Sequence, residues 1–250
     1  MPVLSVDLAS RNWSDLGVVL LEQKGPLIAC EIIRWSEPYP PPVVELALRL
    51  NQVCVEHNAS VLMLDGPQAW KADKSDEILQ ISGMPENPPP IQGLPASYER
   101  FVGYCLALYD ALGRLGWRRL ANREHLAGSA NESPRKTLVE SYPEAAWKSL
   151  GMEPLPARSE CRVSHLAEAY AALTDILPIT TNRPPNHAQL QAIIGGLPGL
   201  AIEERRDPRA TPDKKITRQQ PRWKNGKWRE GLIVLPVPPQ AKHVPWPTLE

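Results

Sequence analysis

The chain has 250 residues, 42% hydrophobic and 22% charged, with 28 basic side chains against 28 acidic ones. That suits a soluble globular protein of one large domain or two small ones, long enough to bury a core. Four scattered cysteines, Cys30, Cys54, Cys105 and Cys161, exclude a Cys-x-x-Cys zinc site or a disulfide framework and point to a reducing cytoplasm. The start, MPVLSVDLAS, does not read as a signal peptide, and no apolar run is long enough for a membrane span. The neutral total hides an asymmetry: Glu203 to Arg229 carries 10 Lys/Arg and 4 Asp/Glu, against 18 and 24 in the rest. A basic segment on an acidic body suits an anionic partner.

In chain order, Val3–Leu8 reads as a short apolar strand. Leu16–Glu22 and Leu27–Trp35 read as a hairpin turning at Gln23-Lys24-Gly25-Pro26. Prolines from Pro38 to Pro42 stop it, and Val43–His57 has apolar residues at helical spacing and ends near Asn58. Ser60–Leu64 is a fully apolar run of the kind found in buried strands, closed by Asp65-Gly66-Pro67. Gln68–Ala96 is a long proline-rich loop, and such loops are often functional. Tyr98–Leu115 reads as a helix, Thr137–Tyr142 as a strand, and Glu144–Leu150, Cys161–Ile176 and Asn186–Ile194 as helices. Gly231–Pro236 reads as a late strand, and the tail beyond it as peripheral.

The order β-β-β-α-β-α-β-α predicts an α/β domain with a mixed sheet and helices on its faces. Ligands in such sheets gather beyond the carboxyl ends of the strands. Three apolar strands deliver an acid there: Asp7, Asp65 and Glu140. Converging carboxylates repel unless a cation lies between them, and Mg²⁺ or Mn²⁺ takes oxygen ligands. A site of that kind hydrolyses phosphodiesters. Each acid also has a structural reading. Asp7 could cap a turn, Asp65 sits in the turn-former Asp-Gly-Pro, and Glu140 could pair with Lys136 or Lys148.

VLSVDLAS, VLMLDGPQAW, LVESYPEAAWKSLG, NHAQLQAIIGGL and EGLIVLP, in that order, resemble the domain of unknown function 429 family of predicted nucleases. The resemblance runs from about Val3 to Pro236, and ESYPEAAWKSLG is its most specific piece. It implies a ribonuclease H-like fold, a five-stranded mixed sheet with helices on both faces and family-specific insertions. It also implies a metal-dependent nuclease with Asp7, Asp65 and Glu140 as catalytic metal ligands. One departure stands out: the family's last helix carries aspartates in a pattern like His-Asp-x-x-Asp-Ala, where this chain has His187-Ala188-Gln189-Leu190-Gln191-Ala192. With Ala188 and Gln191 at the acid positions the site loses up to two negative charges, and metal affinity should fall.

Within the basic insertion at about 203–229, Lys214, Lys215, Arg218, Arg222, Lys224 and Lys227 surround Trp223 and Trp228. Cations neutralise phosphates and indoles stack on bases, so this stretch is a candidate nucleic-acid arm; as a solvated loop packed by its tryptophans it needs no ligand. The expectation is a single ribonuclease H-like domain over 1–236, with 237–250 as a peripheral tail. That domain is expected to be a cytoplasmic nuclease using Mg²⁺ or Mn²⁺ on nucleic acid, with no membrane partner. The alternative is a catalytically inactive nucleic-acid- or protein-binding module on the same scaffold.

Overall fold

In the computed structural model, which describes residues 1–68, 96–120, 136–203, 222–224 and 227–229, the described core is built on a seven-stranded mixed sheet. Its strands are β1 (Val3–Asp7), β2 (Gly17–Lys24), β3 (Leu27–Ile33), β4 (Val61–Asp65), β5 (Arg118–Arg119), β6 (Thr137–Ser141) and β7 (Ile179–Thr181), in the spatial order β5-β6-β4-β1-β2-β3-β7. Only β2 runs against the rest. The helices are α1 (Val43–Glu56), α2 (Ala96–Arg114), α3 (Pro143–Ser149), α4 (Val163–Ile176) and α5 (His187–Glu203).

The central strands are apolar at almost every position because both faces of the sheet are covered. Side chains alternate along a strand, so each strand feeds two cores. Leu4, Val6, Leu62, Leu64 and Leu138 pack with Leu46, Leu50, Cys105, Leu108 and Tyr109 of α1 and α2. Val3, Met63 and Val139 pack on the other face with Leu190, Ile193, Ile194 and Leu197 of α5 and Trp147 of α3. Cys54 and Cys105 are buried core residues, as their positions in apolar helical patterns predict.

Local signals explain the boundaries. The β2–β3 ladder closes at Lys24 opposite Leu27, with Gly25 at φ +61°, where glycine meets no steric penalty. α1 ends in a Schellman motif: the Ala59 N–H donates to the Cys54 carbonyl at 2.8 Å, the Asn58 N–H to Val55 at 3.2 Å, and Asn58 takes φ 55°. At the start of α5 the Asn186 side chain accepts from the Gln189 N–H at 3.0 Å and the Gln189 side chain accepts from the Asn186 N–H at 2.9 Å, a reciprocal cap.

Two expectations need adjustment. The sheet has seven strands rather than five, because β5 and β7 add short edges of two and three residues, too short to show a period in sequence. α5 does not stop at Ile194 but runs to Glu203 through Gly195, Gly196, Pro198 and Gly199. Those residues read as terminators, yet they let the helix lie directly on the sheet. The strand at Gly231–Pro236, the tail, the loop over 69–95, and Lys214, Lys215 and Arg218 lie outside the described residues. Within the basic stretch, β8 (Arg222–Lys224) pairs antiparallel with β9 (Lys227–Arg229), a hairpin the sequence reading did not separate.

A methyl group on Gly196 would stand 2.2 Å from Leu21 Cδ1 and 2.6 Å from Ser5 Cβ. Gly196→Ala is therefore expected to destabilise the protein by roughly 1–3 kcal/mol, overpacking outweighing alanine's better helix propensity. The check is a lower urea midpoint at unchanged m-value.

Candidate active site

β1 and β4 are parallel neighbours in register, and Asp7 stands opposite Asp65 at the last position of each. Both are half-buried. By alternation their side chains share the α5 face, in step with Val3 and Val61, and Met63. Burial raises the Asp7 carboxyl well above the usual range, and the Asp65 charge adds to that. Burial likewise pushes Asp65 up to about 6. The two carboxyls hydrogen-bond to each other, which requires a proton on one of them.

The first turn of α5 closes over this rim. Gly17 pairs with Asp7 in the β1–β2 ladder, and a methyl group on Gly17 would fall 2.0 Å from the Ala188 carbonyl oxygen. Only glycine permits this approach. Ala188 is buried there, and the Gln191 Oε1 accepts from the Trp147 indole N–H at 2.7 Å. The two positions at which the resemblance expects acids thus lie in the helix that covers the pair, one packed on Gly17 and one committed to Trp147. Lower on the same helix, the Ser5 hydroxyl donates to the Ala192 carbonyl at 2.6 Å.

Glu140 falls elsewhere. It is in register with Leu64, and Ser141 is the residue opposite Asp65. Alternation therefore turns Glu140 toward α2; Cys105 and Tyr109 there are lifted mainly by burial and further by the charges of Asp65 and Glu140. Its carboxylate accepts the Gln68 N–H at 3.2 Å. Tyr109 OH donates to the Gly66 carbonyl at 3.3 Å, and Arg119, paired with Asp110 at 2.5 Å, donates to the Gln68 carbonyl at 3.1 Å. Together these groups brace the turn that follows Asp65. Of the sequence-read alternatives, Lys136 bonds Asn51 at 2.9 Å and Lys148 bonds Glu144 at 3.2 Å.

Among the described residues no group of three or more His, Cys, Asp or Glu side chains converges to hold a metal ion. The structure brings together Asp7 and Asp65 and leaves Glu140 on the opposite face. The two carboxyls could serve as the protein ligands of a single hard cation such as Mg²⁺ or Mn²⁺, whose other ligands would be water.

Two neighbours were not legible in the sequence. Arg158, on the connection between α3 and α4, pairs with Asp15 at 2.7 Å. Asp15 ends a single 3-10 turn (Trp13–Asp15) just before β2. The Arg158 charge lowers Asp7 against the larger effect of burial. It also adds to the depression of His187, whose main cause is desolvation. His187 meets the Pro156 carbonyl at 3.0 Å through Nε2, tying this connection to the start of α5. No sequence signal links Asp15 to Arg158, which are more than a hundred residues apart. Ser141 was legible, since a strand that ends Glu-Ser puts those residues on opposite faces.

No described helix is long and apolar enough to cross a membrane. In comparisons with known proteins, no family model matches the sequence and no curated protein matches it.

Proposed function

We propose that this chain is a divalent-metal-dependent nuclease of ribonuclease H-like fold, kin to the domain of unknown function 429 family, hydrolysing phosphodiesters at the Asp7–Asp65 rim. The observation that carries this reading is the in-register pairing of two half-buried carboxylates at the carboxyl ends of adjacent parallel strands. The central strand order β6-β4-β1-β2-β3, with β2 alone reversed, supports the fold part of it. Asp7 and Asp65 would hold Mg²⁺ or Mn²⁺, and the ion would supply positive charge against the charge that builds on a phosphodiester under attack. Glu140, Tyr109 and Arg119 keep the Asp65 turn in place, and the first turn of α5 limits water around Asp7. Glu140 serves this reading as a positioning residue.

The β8–β9 hairpin supports nucleic acid as the substrate. Its register sets Trp223 opposite Trp228, Arg222 opposite Arg229 and Lys224 opposite Lys227. Cationic residues and a tryptophan alternate along both strands, a composition that suits stacking on bases and neutralising phosphates.

A second reading, a binding module without catalysis, is favoured by one observation: the first turn of α5 contains no acid. Thermal melts with Mn²⁺, read beside cleavage of labelled single-stranded DNA and RNA, separate the two. A nuclease gains about 2.7 kcal/mol at a hundredfold excess over the metal Kd and cuts at least one strand type. No melting shift at millimolar Mn²⁺, together with no cleavage, removes the enzyme and leaves the module.

A further inference from the structure

We propose that Arg158 is the residue that holds the scissile phosphate at this rim, its guanidinium fixed at one end by Asp15 and open at the other. The inference rests on the nuclease reading and adds a substrate-binding group to it.

Arg158 lies on an irregular connection, and its side chain is 53% exposed, while that of Asp15 is 22% exposed. A partly exposed ion pair adds little to folding, about 0–1 kcal/mol, so the fold has small need of it. The Asp15 carboxylate engages one guanidinium nitrogen. The other donors meet no partner among the described residues. The planar fork is well matched to a phosphate, and a guanidinium tethered at one end loses less freedom on binding one.

Its place beside the carboxylate pair is the stronger argument. Asp15, which fixes Arg158 at 2.7 Å, precedes by two residues the Gly17 that pairs with Asp7 in the β1–β2 ladder, and the connection carrying Arg158 is tied to the start of α5 by His187 and the Pro156 carbonyl at 3.0 Å. A fixed cation there opposes a divalent cation binding to Asp7 and Asp65. The opposition vanishes when an anion lies between the two positive charges. An arginine in this place therefore weakens binding of metal alone and strengthens binding of metal together with a phosphate. The acid-free turn of α5 leaves the rim with the pair as its inner carboxylates, so the second positive charge on the phosphate comes from the protein.

The test uses the full chain as wild type, Arg158→Gln and Arg158→Lys, titrated with Mn²⁺ alone, thymidine 5′-monophosphate alone and both together, by calorimetry and thermal melts. Arg158→Gln is expected to bind Mn²⁺ alone roughly threefold more tightly, since a repelling charge is gone. It is expected to bind the mononucleotide in Mn²⁺ about tenfold more weakly, the loss of one charge-assisted contact. Arg158→Lys, which keeps the charge without the fork, falls between and serves as the deciding variant if Arg158→Gln does not fold. A purely structural arginine would not move the two affinities in opposite directions. The inference is overturned if Arg158→Gln binds the mononucleotide as wild type does, or if wild type binds Mn²⁺ but no mononucleotide. A wild type that ignores Mn²⁺ overturns the nuclease reading instead. The phosphate seat then survives only if mononucleotide alone still binds and Arg158→Gln abolishes that binding.

Discussion

Asp7→Asn is expected to lose cleavage by at least about a hundredfold while raising the stability of the metal-free protein at neutral pH. The loss follows from removing one of the two carboxylates that meet a divalent ion, since even residues that only orient metal ligands contribute 10–100-fold to affinity or activity, roughly. The gain follows from the carboxyl pair itself. At pH 7 the folded chain either keeps a proton it would otherwise release or holds two buried like charges side by side, and both cost free energy. Asparagine donates a hydrogen bond to Asp65 with no proton to find. A gain of roughly 1–2 kcal/mol is expected, in the range of stability released when a strained functional group is neutralised. Denaturant midpoints in chelator, beside cleavage rates in Mn²⁺, measure both arms. If Asp7 were only a turn cap, the substitution would lower stability or leave it level, and that outcome would sink the functional reading.

In chelator, the wild-type protein is expected to lose stability as pH rises from about 4 to above 6. Both carboxyls titrate higher in the folded state than the roughly 3.9 of an unfolded aspartate, with Asp65 at about 6 and Asp7 also raised. The folded state therefore binds these protons more tightly. That contribution is complete below the unfolded value and is lost as pH climbs through the folded values. Its size is on the order of 2 kcal/mol, given a shift of about two units at a half-buried group. The double variant Asp7→Asn/Asp65→Asn should flatten this part of the curve, so the difference between the two proteins isolates it from other titrations. With saturating Mn²⁺ the wild-type trend reverses, because the metal binds deprotonated ligands and its stabilisation grows with pH. A difference curve flat from pH 4 to 8 would mean that the two carboxyls do not meet in solution.

The sequence by itself determined which segments are strands and which helices wherever the pattern was long enough. Five apolar strands, the Gly25-Pro26 turn and the α1 boundary at Asn58 follow from local chemistry, because burial on both faces and positive φ each leave a residue-level mark. It also carried the face of each acid. VLSVD and VLMLD end on their fifth residue, whereas TLVES carries its acid on the fourth. In aligned strands that one-residue offset turns Glu140 to the opposite side from Asp7 and Asp65 and puts Ser141 in line with them. What tertiary structure alone decided is the company the pair keeps. The length of α5 depends on how closely Gly17, Gly196 and Gly199 let it lie on the sheet, a property of two surfaces rather than of one segment. The edge strands β5 and β7 exist only because a neighbour offers hydrogen bonds. Asp15 and Arg158 meet because a 3-10 turn and a distant connection fold onto the same rim, and no periodicity encodes contacts between segments so far apart.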